Sequence, residues 1–296
     1  MTTVGSDIVT GAINRGPAAR AVSAVGGGAL RIFLIVVALV WLIPTFGLLV
    51  ESLRDPATYA NGGWWHVFAH PAQLTWNNYS ALLKNGSITG SFLNTIYITV
   101  PATLAVILIG SAAGYAFAWM EFPGRDWMFL GVVGLLVVPL QIALIPVVKL
   151  YTTLGISGSI LSVVIFHVAF GLPFAIFLLR NYFAGIPRDL MEAARMDGAS
   201  EGRIFFRLVL PLGLPAIASL GIFQFLWVWN DLLVALIFAG PSAQPLTVTL
   251  SQQTRQFGSS IDILAPGAFL SLVVPLAVFL AFQRFFVQGV MAGSVK

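Results

Sequence analysis

Apolar runs with at most one charged residue, long enough to cross a bilayer, recur six times, roughly at Leu30 to Val50, Phe92 to Ala118, Trp127 to Val148, Ser159 to Leu179, Leu212 to Asp231 and Gly267 to Phe286. An apolar helix of about 20 residues covers the hydrocarbon core, so each run predicts one transmembrane helix. Residues 1–29 are rich in Gly, Ala and Thr without periodicity and are expected to form a mobile tail. The first run is too long for the apolar part of a signal peptide, and no small-residue cleavage site follows before Glu51, so it is read as a span. The expected fold is an all-α integral membrane protein. Six spans occupy residues 30–287, with outer loops at 51–91 and 240–266, an inner loop at 181–207 between the fourth and fifth spans, and a tail at 288–296.

Six spans put both termini on one side, and Lys and Arg decide which. With the termini inside, Arg15, Arg20, Arg31, Arg125, Arg180, Arg188, Arg195, Arg203, Arg207, Arg284 and Lys296 lie inside, against Arg54, Lys84, Lys149 and Arg255 outside. The bias predicts cytoplasmic termini. Pro101, Pro139, Pro146, Pro173, Pro211, Pro215 and Pro275 fall in or beside the spans, where each frees a carbonyl and bends its helix. Bent helices of this kind can frame a water-filled path, although membrane helices also tolerate proline without function.

Composition agrees: 58% of the 296 residues are hydrophobic and 9% charged, too few to wet a soluble domain. The net charge of +4 fits the positive-inside bias better than nucleic-acid binding. Cysteine is absent, which excludes a disulfide framework, a thiolate metal site and a cysteine nucleophile. Nine of the 26 charged residues fall between Arg180 and Arg207, alternating in sign. Pro187 suits a first helical turn, Asp189 and Glu192 complement a helix N-terminus, and Arg188 and Glu192 are spaced to pair. Gly198 supplies a C-cap and Ser200 an N-cap, giving helix, glycine turn, helix. A first helix this short needs a docking surface, and Ala193 and Ala194 would let a partner's backbone approach.

Glu192-Ala193-Ala194, three residues, Gly198, nine residues and Leu208-x-Leu210-Pro211 resemble the EAA loop of binding-protein-dependent ABC importers, with Leu208 where the pattern usually has Ile. The resemblance extends along nearly the whole chain to carbohydrate permeases of the maltose type. It is carried by Leu74-Thr-Trp-Asn-Asn-Tyr79, Glu121-Phe-Pro-Gly-Arg125, Phe170-Gly-Leu-Pro-Phe174, Phe177-Leu-Leu-Arg-Asn181, Phe225-Leu-Trp-Val-Trp-Asn-Asp-Leu-Leu233, Gln283-Arg284 and Gly289-Val-Met-Ala-Gly-Ser-Val-Lys296. Val138-Pro-Leu-Gln141 and Trp229-Asn-Asp-Leu-Leu233 look most like alpha-glucoside permeases. The resemblance implies a non-catalytic half-channel importing a sugar, most simply a disaccharide or oligosaccharide. It also implies a second homologous permease, two cytoplasmic ATPase subunits that bind ATP and Mg, and an extracytoplasmic sugar-binding protein. Glu192, Ala193, Ala194, Asp197 and Gly198 would form the coupling helix in the ATPase cleft. Gln252, Gln253 and Gly258 in the second outer loop would meet the binding protein. No G-x-x-x-x-G-K-[ST] occurs in the chain, so no cofactor is expected in it and ATP belongs elsewhere.

Gln224, Trp227 and Asp231 are spaced to share one face of the fifth span, with Asn230 beside them. Amide, indole and carboxylate would suit sugar, though Trp227 and Trp229 also fit an interfacial belt and Asp231 headgroup water. Gln141 and Asn94 are further path candidates. His167 is a mid-span polar residue, functional or simply hydrogen-bonded between helices. Gly110-Ser-Ala-Ala-Gly114 predicts close helix packing against this chain or another. Gly198-Ala-Ser200-Glu-Gly202 fits a serine-nucleophile pattern, but it follows a helix and every histidine precedes it. His66 and His70 lack the intervening ligands of a metal pair, so no metal site is expected. The competing functions are a permease for another solute such as glycerol phosphate, a membrane enzyme and an ion-driven carrier. The spans offer little mid-depth charge for any of them.

Overall fold

The computed structural model describes residues 17–256 and 261–292, and among these the chain is helical with no strand. Helix α1 (Pro17–Leu53) is followed by short 3₁₀ turns and α2 (Asn77–Lys84). Next come α3 (Gly86–Trp119), α4 (Arg125–Leu135), α5 (Leu140–Thr153) and α6 (Ile160–Phe183). A polar insert holds α7 (Arg188–Met196) and α8 (Glu201–Ile204), and a π-turn at Phe205–Val209 joins α8 to α9 (Leu210–Trp229). The chain ends with α10 (Leu233–Phe238), α11 (Leu246–Gln256) and α12 (Ile261–Ala292).

Among the described residues, five helical stretches are long and apolar enough to cross a membrane, and α4 with α5 makes a sixth if the bent pair is counted as one. The expected third span is therefore not a single rod. Its two halves meet at 100° beside Pro139, whose extended backbone (φ −64°, ψ 128°) precedes α5 and ends the helical path. Of the expected tail at residues 1–29, residues 1–16 lie outside the described residues, and the rest is helical. Helix α1 begins at Pro17, because Pro at a first turn followed by alanines favours helix over the glycines that suggested disorder.

Helix α3 is the centre of the bundle, packed against α6 and α9, with α12 on the far side of α9. The Gly110 and Gly114 pair is what lets α3 approach α6, so the glycine motif serves this chain. A Cβ on Gly110 would stand 2.8 Å from Ala175 Cβ, and one on Gly114 would stand 3.0 Å from Leu179 Cβ. Two main apolar clusters result. One joins Val106, Tyr115, Leu179, Phe183, Met191, Ile204 and Leu220 at the α7 end, and the other joins Ile98, Tyr151, Phe166, Val234 and Phe238 toward the opposite end.

The expected outer loops are folded. Residues 51–91 wrap the fully buried Arg54, which donates to Glu51 Oε2 at 2.9 Å, Thr58 O at 2.9 Å and Gly62 O at 3.0 Å. Asn78 Nδ2 in turn donates to Ser52 O at 3.0 Å and Arg54 O at 2.7 Å. A buried guanidinium is tolerable only when its donors are met this completely. Residues 240–266 likewise carry α11 and the start of α12.

Candidate functional site

The polar insert is anchored to the bundle on one side and exposed on the other. Helix α7 presents Arg188, Asp189, Leu190, Glu192, Ala193, Met196, Asp197 and Gly198 to the outside, while Met191 is fully buried. Arg188 Nε donates to Glu192 Oε1 at 3.1 Å, as the spacing predicts. The helix ends where Gly198 adopts φ +73°, a conformation that favours glycine, and Gly198 N donates to Arg195 O at 3.0 Å. Ser200 occupies the N-cap position of α8, but its side chain makes no cap hydrogen bond, and Pro187 lies just before α7 rather than in its first turn.

Polar contacts reinforce this mount. Arg195 Nε donates to Glu201 Oε1 at 3.0 Å, and its Nη2 donates to Trp119 O at 3.2 Å at the end of α3. Tyr115 Oη donates to Glu201 Oε2, and Trp119 Nε1 donates to Phe183 O at 2.8 Å. The Glu201 carboxylate holds the Arg195 guanidinium above its ordinary pKa, chiefly through their hydrogen bond. One carboxylate thus ties α7, α8 and α3 together. Sequence reading missed Tyr115, Trp119 and Met191. For Met191 the available signal was its spacing with Ala194, which puts both on the side of the helix away from Asp189, the side that packs on the bundle.

The path candidates do not stay together. Gln224 is 4% exposed and turned toward α6, where a Cβ on Gly171 would stand 2.7 Å from its Oε1. It is therefore a packing residue inside the chain rather than an exposed lining. Trp227 is 37% exposed, its indole edge-on to the His167 ring at 5.1 Å. Asn230 is exposed, and its Nδ2 donates to Leu226 O at 2.8 Å in the last turn of α9. Asp231 caps α10, its carboxylate accepting from Val234 N at 3.3 Å and Ala235 N at 2.9 Å. Asn94 is committed to structure, because Nδ2 donates to Ser242 O at 3.0 Å and Gln244 O at 3.1 Å. Gln141 is exposed at the start of α5, beside the sharp bend.

His167 is fully buried in α6. Its Nδ1 lies 2.9 Å from Val163 O within the same helix, instead of bridging helices, and its Nε2 faces Asp231 Oδ2 at 3.8 Å. Gln252 and Gln253 are half-buried on α11, and Gly258 lies outside the described residues.

The chain is similar to known proteins along most of its length. Residues 106–291 match the model of the binding-protein-dependent transport system inner membrane component family. The chain is 49% identical over 272 residues to the osmoprotective compounds uptake permease protein GgtD of Synechocystis, covering 90% of this chain and 91% of that one. It is also 49% identical over 233 residues to the alpha-glucoside transport system permease protein AglG of Rhizobium meliloti, covering 76% of this chain and 61% of that protein's length. The fold resembles a chain of a bacterial ABC transporter involved in alginate import, with a TM-score of 0.76 and 22% identity over 89% of this chain and 97% of that one. The matched region contains the fixed α7 mount, the tight α3–α6 packing and the bent α4–α5 pair. The chain belongs to the binding-protein-dependent transport system inner membrane component family, the permeases that span the membrane in ABC importers.

Proposed function

We propose that this chain is one half of the translocation path of an ATP-driven importer for a sugar, a disaccharide or oligosaccharide. In this reading a second homologous permease completes the path, and an extracytoplasmic binding protein delivers the solute. Two cytoplasmic ATPase subunits bind ATP and Mg and receive α7. Both termini then lie in the cytoplasm, and this chain performs no catalysis itself. The observation that carries the reading is the α7 mount: an exposed helix surface on one side, and on the other a buried Met191 and a three-way carboxylate junction to α3.

Such a helix transmits motion because it cannot slide on its support. When the ATPase dimer closes, α7 is carried with it, and Glu201 and the packed cluster turn α3, α6 and α9 as one body. The bend at Pro139 lets α4 and α5 rearrange against that body. Nucleotide and loaded binding protein favour the same state, so each promotes the other's binding.

Among sugars, the identity with AglG favours an alpha-glucoside. A second reading, an osmoprotective compound, rests on equal identity with GgtD over a longer stretch. Trp227, Asn230 and Gln141 remain the path candidates open to solute. Uptake by the reconstituted complex of radiolabelled alpha-glucosides and osmoprotectants, each in competition with the other, tests the choice. Saturable uptake of an alpha-glucoside supports the first reading, and uptake confined to osmoprotectants selects the second.

A further inference from the structure

Between α3, α6 and the turn from α9 to α10 lies a small cavity, mostly apolar but with polar side chains at its wall, that the transport reading leaves unused. Thr95, Ile98 and Thr99 of α3, Val163 and His167 of α6, Val228, Asp231, Ala235 and Pro245 surround it. It measures about 10 Å3, room for the centre of one water molecule. Thr99 Oγ1 and His167 Nε2 are buried there without a hydrogen-bond partner in the chain, and both residues are fully buried.

Protonation can be followed atom by atom. A carbonyl only accepts, so the 2.9 Å contact with Val163 O puts the His167 proton on Nδ1 and leaves Nε2 as an acceptor in the neutral ring. Asp231 Oδ2 accepts from Ala235 N and is an acceptor too. Two acceptors therefore face each other at 3.8 Å, beyond hydrogen-bond reach, with an unused Thr99 hydroxyl at the same cavity. Thr95 is not available, since its Oγ1 already donates to Ser91 O and accepts from Leu246 N, each at 2.9 Å.

We propose that this cavity is a binding site for one water molecule that bridges His167, Asp231 and Thr99. Water matches all three needs, donating to Nε2 and to Oδ2 while accepting from Oγ1, and about three bonds is usual for a buried water. The bridge ties α3 and α6 to the turn where α9 gives way to α10. It fixes the His167 ring against which Trp227 rests edge-on, so the water positions an indole at the exposed face. Because a water can exchange partners, the three elements can shift during transport without stranding a buried acceptor. The inference rests on the cavity alone and holds whichever solute is carried.

The test is nitrogen-15 NMR of the assembled transporter in lipid nanodiscs, with His66→Gln and His70→Gln leaving His167 as the labelled histidine of this chain and the other subunits unlabelled. The expected spectrum at neutral pH shows a protonated Nδ1 and an Nε2 resonance displaced upfield of a free acceptor. That displacement shrinks in Thr99→Val and persists in Thr99→Ser, which keeps the hydroxyl. A doubly protonated ring means a direct ion pair with Asp231, and an Nε2 at the free-acceptor position means a dry cavity. Either result overturns the proposal, as does a Thr99→Val spectrum identical to that of the parent.

Discussion

Tyr115, near the end of α3, donates its hydroxyl proton to Glu201 at the start of α8, eighty-six positions away in sequence. The contact joins the bundle's central helix to the polar insert, and Glu201 simultaneously accepts from Arg195 of α7. A hydrogen bond to a charged group contributes about 1.5–3 kcal/mol. Tyr115→Phe is expected to leave the chain folded but to lower solute transported per ATP hydrolysed several-fold in proteoliposomes. Glu201→Ala, which also frees Arg195, is expected to lower it further. An unchanged ratio in both variants would mean that the junction transmits nothing.

The exposed side of α7 makes a separate prediction. Glu192→Lys removes the pair with Arg188 and sets like charges one turn apart, while Gly198→Asp forces a side chain onto φ +73°. Each is expected to reduce uptake to background with the chain still present in membranes, as measured by immunoblot beside the uptake assay. Normal uptake in either variant would refute the docking assignment.

Met191 anchors the same helix from beneath. It is fully buried in the cluster with Leu179, Phe183 and Ile204, so Met191→Ala is expected to cost about 2–5 kcal/mol. Met191→Leu conserves volume and should cost less than about 1.5 kcal/mol. Thermal unfolding of the purified chain in detergent checks the order, with the alanine variant melting well below the leucine variant.

The fifth span separates two residues that helical spacing put on one face. Trp227 is half-exposed whereas Gln224 is buried with Nε2 unpartnered, so Trp227→Ala should raise the KM for uptake at least several-fold. Gln224→Leu removes a buried amide nitrogen without a partner, a defect of about 1–3 kcal/mol, and should retain uptake with equal or higher thermal stability. Loss of uptake in a stable Gln224→Leu protein would return this amide to the solute path.

Much of this architecture is legible in the sequence because spans and charge obey strong local rules. Apolar runs mark α1, α3, α6, α9 and α12 to within a turn or two at most ends, and Arg188, Glu192 and Gly198 mark α7 and its end. Rules of that kind are blind to direction. Pro139 signals a break in helix but not a 100° turn, which depends on where α4 and α5 find neighbours. A polar residue in a span, such as Asn94 or Gln224, announces only that it needs a partner. Ser242 and Gln244 carbonyls claim the first, and Gly171 leaves the room occupied by the second. Arg54 counted simply as an outer charge, yet it is the buried hub of residues 51–91, because its partners Thr58, Gly62 and Gln73 converge only in the folded chain.

In the proposed function the α7 mount couples this permease to ATP hydrolysis by another chain. The most direct measurement is ATP hydrolysis by the complex reconstituted in proteoliposomes, with and without solute-loaded binding protein. Stimulation is expected only when loaded binding protein is present, and its loss is expected in Glu192→Lys. Solute uptake driven by an ion gradient without ATP, or hydrolysis indifferent to both the binding protein and Glu192→Lys, would contradict it.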